Sequence, residues 1–165
     1  MELLRIEKLN MIFASRTIRG SEYVHVLKDV DLTVGEGEIV ALVGESGCGK
    51  TTLGKIIAGL YKHSSGDIFF MGKNTRSIGP RGRAAYRKSV QFVQQDSYAA
   101  LNPVKTIYQS MYAPIKANNR RLNKYQIDEL VNHYIELVGL TPASQFINKY
   151  PHQLSGGQRQ RILIA

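Results

Sequence analysis

The segment Gly44-Glu45-Ser46-Gly47-Cys48-Gly49-Lys50-Thr51 has the spacing G-x-x-x-x-G-K-[ST], and these residue types suit the binding of phosphate. Glycines let the backbone curl so that successive N–H groups point inward at phosphate oxygens. A helix beginning at the end of such a loop adds the partial positive charge of its N-terminus. Lys50 would reach the β- and γ-phosphates of a nucleotide. The Thr51 hydroxyl would bind Mg2+, and Thr52 would continue the cradle. The Gly-x-Gly at Gly47 and Gly49 does not extend to a dinucleotide fingerprint, because Thr52 stands where a third glycine is needed. Cys48, the only cysteine, fills a variable position of the loop and reads as a small residue there.

A second glycine-rich element, Leu154-Ser155-Gly156-Gly157-Gln158, places a Ser-Gly-Gly turn ahead of an apolar segment. It predicts another helix N-terminus able to hold an anion. Two such elements in one chain pose a question, since a single nucleotide needs one phosphate loop.

Both motifs need elements to position them. Ile39 to Val43 is a continuous apolar run and predicts a fully buried central strand leading into the loop. Thr51 to Leu60 predicts the helix that follows, with Leu53, Ile56, Ile57 and Leu60 on one face. Leu3 to Leu9 and Val24 to Val34 alternate as half-buried strands, the latter ended by the turn Gly35-Glu36-Gly37. Asp67 to Met71 and Val90 to Val93 predict two further strands. A short helix is expected near Ala84 to Arg87, and irregular chain from Asp96 to Pro103. The clearest helix runs from Lys124 to Val138. Asn123 is its N-cap, Gln126 completes a capping box, and Gly139 stands at C′. Its apolar stripe is Ile127, Leu130, Val131, Tyr134, Leu137 and Val138. Ser155 to Gly157 opens a last helix.

The bulk composition bounds the rest. The 165 residues amount to about one domain, and 43% hydrophobic residues suffice for a packed core. One cysteine excludes a disulfide framework and points to a reducing compartment. The four histidines are too scattered to suggest a metal site, and no apolar run approaches the length of a membrane span. The net charge of +9 suits phosphorylated ligands, an anionic membrane surface or nucleic acid. Arg76, Arg81, Arg83, Arg87 and Lys88 form a basic cluster that reads as a solvated face, with lipid headgroups or nucleic acid as the functional alternatives.

The motifs, in this order, resemble those of ATP-binding-cassette ATPases. The stretch Tyr150-Pro151-His152-Gln153-Leu154-Ser155-Gly156-Gly157-Gln158-Arg159-Gln160-Arg161 is similar to the oligopeptide/dipeptide/nickel importer subgroup. So are Gly44 to Gly54, and Gln95-Asp96 followed by Leu101-Asn102-Pro103; the resemblance covers essentially the whole chain. It implies an α/β fold: a P-loop NTPase (RecA-like) core with an N-terminal antiparallel β subdomain and an inserted α-helical subdomain, incomplete at the C-terminus. Residues 1–95 would hold the β subdomain and the first part of the core. Residues 96–155 would form the helical subdomain, and 156–165 the start of the helix after the signature.

The same resemblance answers the question of two motifs. ATP is sandwiched between the phosphate loop of one subunit and the signature of another, so Ser155, Gly156 and Gly157 would meet the γ-phosphate in trans, with Gln158 closing the motif. Gln95 would be the Q-loop ligand of Mg2+ and water, with Gln94 as the adjacent alternative. Phe13, after the first strand, would stack on adenine, with Tyr23 as the alternative. Ser97 stands where proline usually follows Gln-Asp, a small change in loop stiffness. Tyr98, Tyr108, Met111 and Tyr112 would belong to the region that receives a coupling helix, or be ordinary core.

The function implied is an ATP-binding subunit that energises import of peptides or nickel, with ATP and Mg2+ as cofactors. Its partners would be a second ATPase subunit, transmembrane permeases and indirectly a substrate-binding protein, at the cytoplasmic face of the membrane, with no nucleic acid. The alternative is a soluble cassette ATPase acting on ribosomes or nucleic acid. The resemblance puts the apolar strand ending in Asp-Glu, the D-loop and the switch histidine after Ala165. No catalytic base is therefore assigned here, and these residues alone are expected to be unstable and to hydrolyse ATP negligibly.

Overall fold

The computed structural model describes residues 1–17 and 20–165, which divide into two compact units, Met1–Phe92 and Val93–Ala165. The first unit is built on an antiparallel sheet. Strands β1 (Glu2–Thr17), β2 (Gly20–Gly35), β3 (Ser65–Phe70) and β4 (Lys73–Asn74) lie in the order β2-β1-β3-β4. Alternation along β1 turns Leu4, Ile6, Leu9 and Met11 inward, where they meet Leu27 of β2 and Ile68 of β3. The register of β1 against β2 shifts between Ile6 and Met11. Asn10 organises that irregularity: its Nδ2 donates to Lys8 O and Asp29 Oδ1, both at 2.9 Å, and its Oδ1 accepts from Asp29 N–H at 3.1 Å. Helix α1 (Lys50–Ile57) covers the sheet with Leu53 and Ile56, and α2 (Pro80–Ser89) buries Tyr86, whose hydroxyl donates to Ile57 O.

Both N-terminal strands are longer than their alternation predicts, and two expected strands do not form. Ile39 to Val43 is irregular and open to solvent, with Ile39 97% and Val43 93% exposed. A buried parallel strand needs hydrogen-bonded neighbours, and none of the four strands pairs with this segment. Val90 to Val93 is irregular for the same reason. The basic segment forms the expected helix, α2, but over Pro80–Ser89 and so longer than the stretch near Ala84 to Arg87. Helix α1 stops at Ile57, which leaves Leu60 58% exposed rather than on the apolar face.

The second unit is helical: α3 (Ser97–Ala100), α4 (Ile107–Asn118), α5 (Lys124–Leu137) and α6 (Gly156–Ile164), with 3-10 turns at Ala143–Gln145 and Pro151–Gln153. Helix α3 replaces the irregular chain expected after Asp96. It forms because Asp96 Oδ1 accepts from Tyr98 N–H at 2.8 Å and Ala99 N–H at 3.2 Å. Ile107 and Met111 of α4 pack with Ile127, Val131 and Ile135 of α5, and with Leu140, Phe146, Leu154 and Ile162. The buried row of α5 is thus spaced by four. It includes Ile135, and it excludes Leu137, which is 69% exposed. Both long helices start with a capping box, Thr106 with Gln109 and Asn123 with Gln126. Asn123→Ala should lower stability by about 1 kcal/mol, read as a shift of the urea midpoint of the full chain without a change of slope.

Candidate functional site

The phosphate loop lies wholly in the first unit. Gly49 is the N-cap of α1, with φ +99, and it is buried against β2. A Cβ there would stand 2.8 Å from Leu27 Cδ2 and 3.2 Å from Val26 O. Glycine therefore fixes how closely the loop approaches the sheet. The first backbone hydrogen bond of α1 runs from Leu53 N–H to Gly49 O at 2.9 Å. The N–H groups of Lys50, Thr51 and Thr52 have no partner within the helix, and no side chain caps them. Lys50 Nζ donates back across the loop to Gly44 O at 2.7 Å and Glu45 O at 2.6 Å, and lies 3.4 Å from Cys48 Sγ. Glu45, Ser46, Gly47, Cys48 and Thr51 are exposed, so the concave side is open to a ligand. The loop combines free amides, a helix N-terminus and one ammonium group, which is a donor set for a polyphosphate.

The signature lies in the second unit. Ser155 caps α6: its Oγ accepts from Gln158 N–H at 3.3 Å, while Gln158 Oε1 accepts from Ser155 N–H at 3.0 Å. This reciprocal box holds the turn and still leaves the Ser155 hydroxyl proton free to donate. Gly156 and Gly157 are exposed, and the side chains before and after them are anchored. Leu154 and Ile162 enter the core of the unit, and Arg159 is 6% exposed. Arg159 Nη1 donates to Leu154 O at 2.5 Å and Pro151 O at 3.1 Å, and its guanidinium lies 3.6 Å from the centre of the Tyr98 ring. Sequence reasoning missed Arg159, because an arginine in a run of polar residues looks solvated.

Gln95 and Gln94 are exposed and irregular, just ahead of the Asp96 cap; the Gln95 side chain makes no hydrogen bond among the described residues. Phe13 lies within β1 rather than after it, paired with Val24 and 37% exposed; Tyr61 meets its ring edge-on at 5.9 Å. Tyr23 is 69% exposed on β2. Tyr108 and Met111 belong to the helical packing. The Tyr108 hydroxyl donates to Asp128 Oδ1 at 2.5 Å, and that hydrogen bond pushes its pKa up to about 12. Elsewhere in the first unit, His63 is buried, and desolvation followed by the charge of Arg76 holds its pKa below the usual 6.5.

Residues 27–165, which hold both motifs, match the ABC transporter family. The chain belongs to that family. The oligopeptide transport ATP-binding protein OppF of Lactococcus lactis subsp. lactis is 38% identical over 99% of this chain and 51% of its own length. OppF of Escherichia coli strain K12 is 40% identical over 84% of this chain and 42% of its own length. The chain thus spans about half the length of the curated ABC relatives it matches. Among solved structures, the dimeric bacterial ABC transporter cassette MJ0796 superposes with a TM-score of 0.81. It is 26% identical, over 98% of this chain and 67% of that one. The same cassette is known as a post-hydrolysis dimer bound to ADP and Pi, with a TM-score of 0.80. The mixed α/β architecture is therefore that of an ABC cassette.

Proposed function

We propose that this chain is the phosphate-loop and signature portion of an ATPase subunit that energises peptide import across a membrane. The observation that carries the reading is the pair of prepared helix N-termini, α1 behind Gly49 and α6 behind Ser155. Peptides are the substrate class in the names of the OppF relatives, and glutathione, itself a peptide, in that of the importer GsiA of Escherichia coli O157:H7. The residues fit ATP with Mg2+: the unpaired amides and Lys50 would face the phosphates, and Thr51 is exposed in the first turn of α1. Among the described residues no group of three His, Cys, Asp or Glu gathers to hold a metal. A magnesium ion here would take its ligands from the nucleotide phosphates, the Thr51 hydroxyl and Gln95, and it would supply charge neutralisation at the β- and γ-oxygens.

In this reading Gly44 to Thr52 bind the nucleotide of one site. Ser155, Gly156, Gly157 and Gln158 serve the site of a second ATPase subunit. Phe13 stacks on adenine. Residues 1–95 correspond to the β subdomain and the first part of the nucleotide core, 96–155 to the helical subdomain, and 156–165 to the start of the helix after the signature. Permease subunits receive the energy at the inner face of the membrane. No helix among the described residues is long and apolar enough to cross a membrane, so that docking is peripheral in this scheme.

The test is nucleotide binding. When Lys50 becomes alanine, the loop loses its ammonium, and a charge-assisted hydrogen bond of about 1.5–3 kcal/mol corresponds to a loss of roughly ten- to a hundredfold in affinity. Fluorescent ATP titrated into the full chain and the Lys50→Ala variant reads this directly. Equal affinities would remove the phosphate loop from the proposal.

A further inference from the structure

In the first unit, the end of α1, the loop behind it, the turn after β4 and helix α2 form a concavity of about 630 Å3. No residue of the phosphate loop lines it. Four cations do: Lys62, Arg76, Arg83 and Arg87. No Asp or Glu lines it among the described residues, and the ion pairs of the described residues involve only Arg5 and Lys8, neither of which lines the cavity. All five residues of the basic cluster are exposed, as a solvated face requires, but they are not spread evenly over it. Three of its arginines turn to a single cavity and are joined there by a lysine from another segment.

The floor of the cavity is organised for an anion. His63 is 8% exposed, and its Nε2 accepts from Arg76 Nε at 2.8 Å. An accepting Nε2 places the imidazole proton on Nδ1 and keeps the ring neutral. With Nε spent on His63, the terminal nitrogens of Arg76 carry no hydrogen bond among the described residues and remain available. Asp67, the carboxylate whose charge acts on His63, is already engaged by Asn74 Nδ2 at 2.8 Å. Like charges held around one concave surface repel each other and focus a positive potential, which an anion relieves. Guanidinium groups match phosphate oxygens with two parallel hydrogen bonds, which a lone surface lysine does not.

We propose that this cavity, formed by Lys62, Arg76, Arg83 and Arg87 around the buried His63, is a second anion site that takes a phosphate group. The group is carried either by a free phosphorylated small molecule or by a phospholipid headgroup.

The site has its own reporter, since His63 is the only histidine lining the cavity among the described residues. The experiment follows the His63 imidazole by NMR in the full chain, in a Lys50→Ala background that weakens the phosphate loop. Inorganic pyrophosphate is one probe; vesicles of phosphatidylglycerol, against vesicles of phosphatidylcholine, are the other. A saturable His63 shift with pyrophosphate is expected, weakened by about tenfold or more in Arg83→Gln/Arg87→Gln. That result supports the site with a free phosphate. A response to phosphatidylglycerol vesicles alone, lost in the same pair, supports it with a headgroup. No response to either probe, or a response undiminished in the pair, overturns it. His25, His133 and His152 report whether the pair folds; if they move, the single Arg83→Gln variant is read by the same criteria.

Discussion

Gly49→Ala is expected to abolish measurable nucleotide binding and to lower the stability of the first unit. Two effects act together. At φ +99 a side chain is strained by about 1–2 kcal/mol. The added Cβ would also stand 2.8 Å from Leu27 Cδ2 and 3.2 Å from Val26 O. Leu27 is 5% exposed in the sheet core and cannot swing aside, and Val26 O is backbone. The loop must therefore lift off β2, which turns the amides of Lys50, Thr51 and Thr52 away from their common focus. A total cost of about 3 kcal/mol lowers the urea midpoint, and mispositioned donors reduce affinity by more than about a hundredfold. Lys50→Ala removes one donor and leaves the loop in place, so Gly49→Ala should be the more damaging of the two. Gly47→Ala is the control: its φ is +85, but nothing lies within 4 Å of a Cβ there, so its effect should be limited to the backbone term. Equal losses for the two glycine variants would show that packing against β2 does not position the loop.

What the sequence discloses depends on whether the cause of a feature is local. The capping box at Asn123 involves residues three apart, so its spacing predicts it and the structure contains it; the box at Ser155 has the same local cause, where only a helix start is expected from the sequence. The phosphate loop is likewise a local turn with a local cause. Ile39 to Val43 differs: an apolar run carries strand propensity, but a strand exists only beside a partner, and pairing is a property of distant chain. Helix α4 was legible and passed over. Thr106 with Gln109 forms a capping box, and Ile107, Met111 and Ile115 recur at intervals of four, but Pro114 inside the segment argues against a helix by propensity. Convergence of Lys62 with three arginines of the basic cluster is invisible in one dimension, because it depends on how α2 turns back over the end of α1.

Arg159→Ala should cost the second unit about 3 kcal/mol and should impair the signature without touching the phosphate loop. Arg159 is a buried cation with no carboxylate beside it. Its charge is met by the carbonyls of Pro151 and Leu154 and by the face of Tyr98, while its Nε has no partner among the described residues. Burying a charge so incompletely paired is itself costly, so the arginine adds less than the sum of its contacts. Truncation is still damaging, because it leaves Leu154 O without a donor, Pro151 O with the Leu154 N–H alone, and a void beneath the Tyr98 ring. Arg159→Met separates these effects. Methionine fills the volume without satisfying the carbonyls, and it should recover part of the stability. The turn at Leu154 that aims Ser155, Gly156 and Gly157 would remain loose. In the ATPase reading, both variants keep the nucleotide affinity of the phosphate loop and lose ATP-dependent association of subunits. Arg159→Met losing stability alone, with association intact, would make Arg159 a packing residue and nothing more.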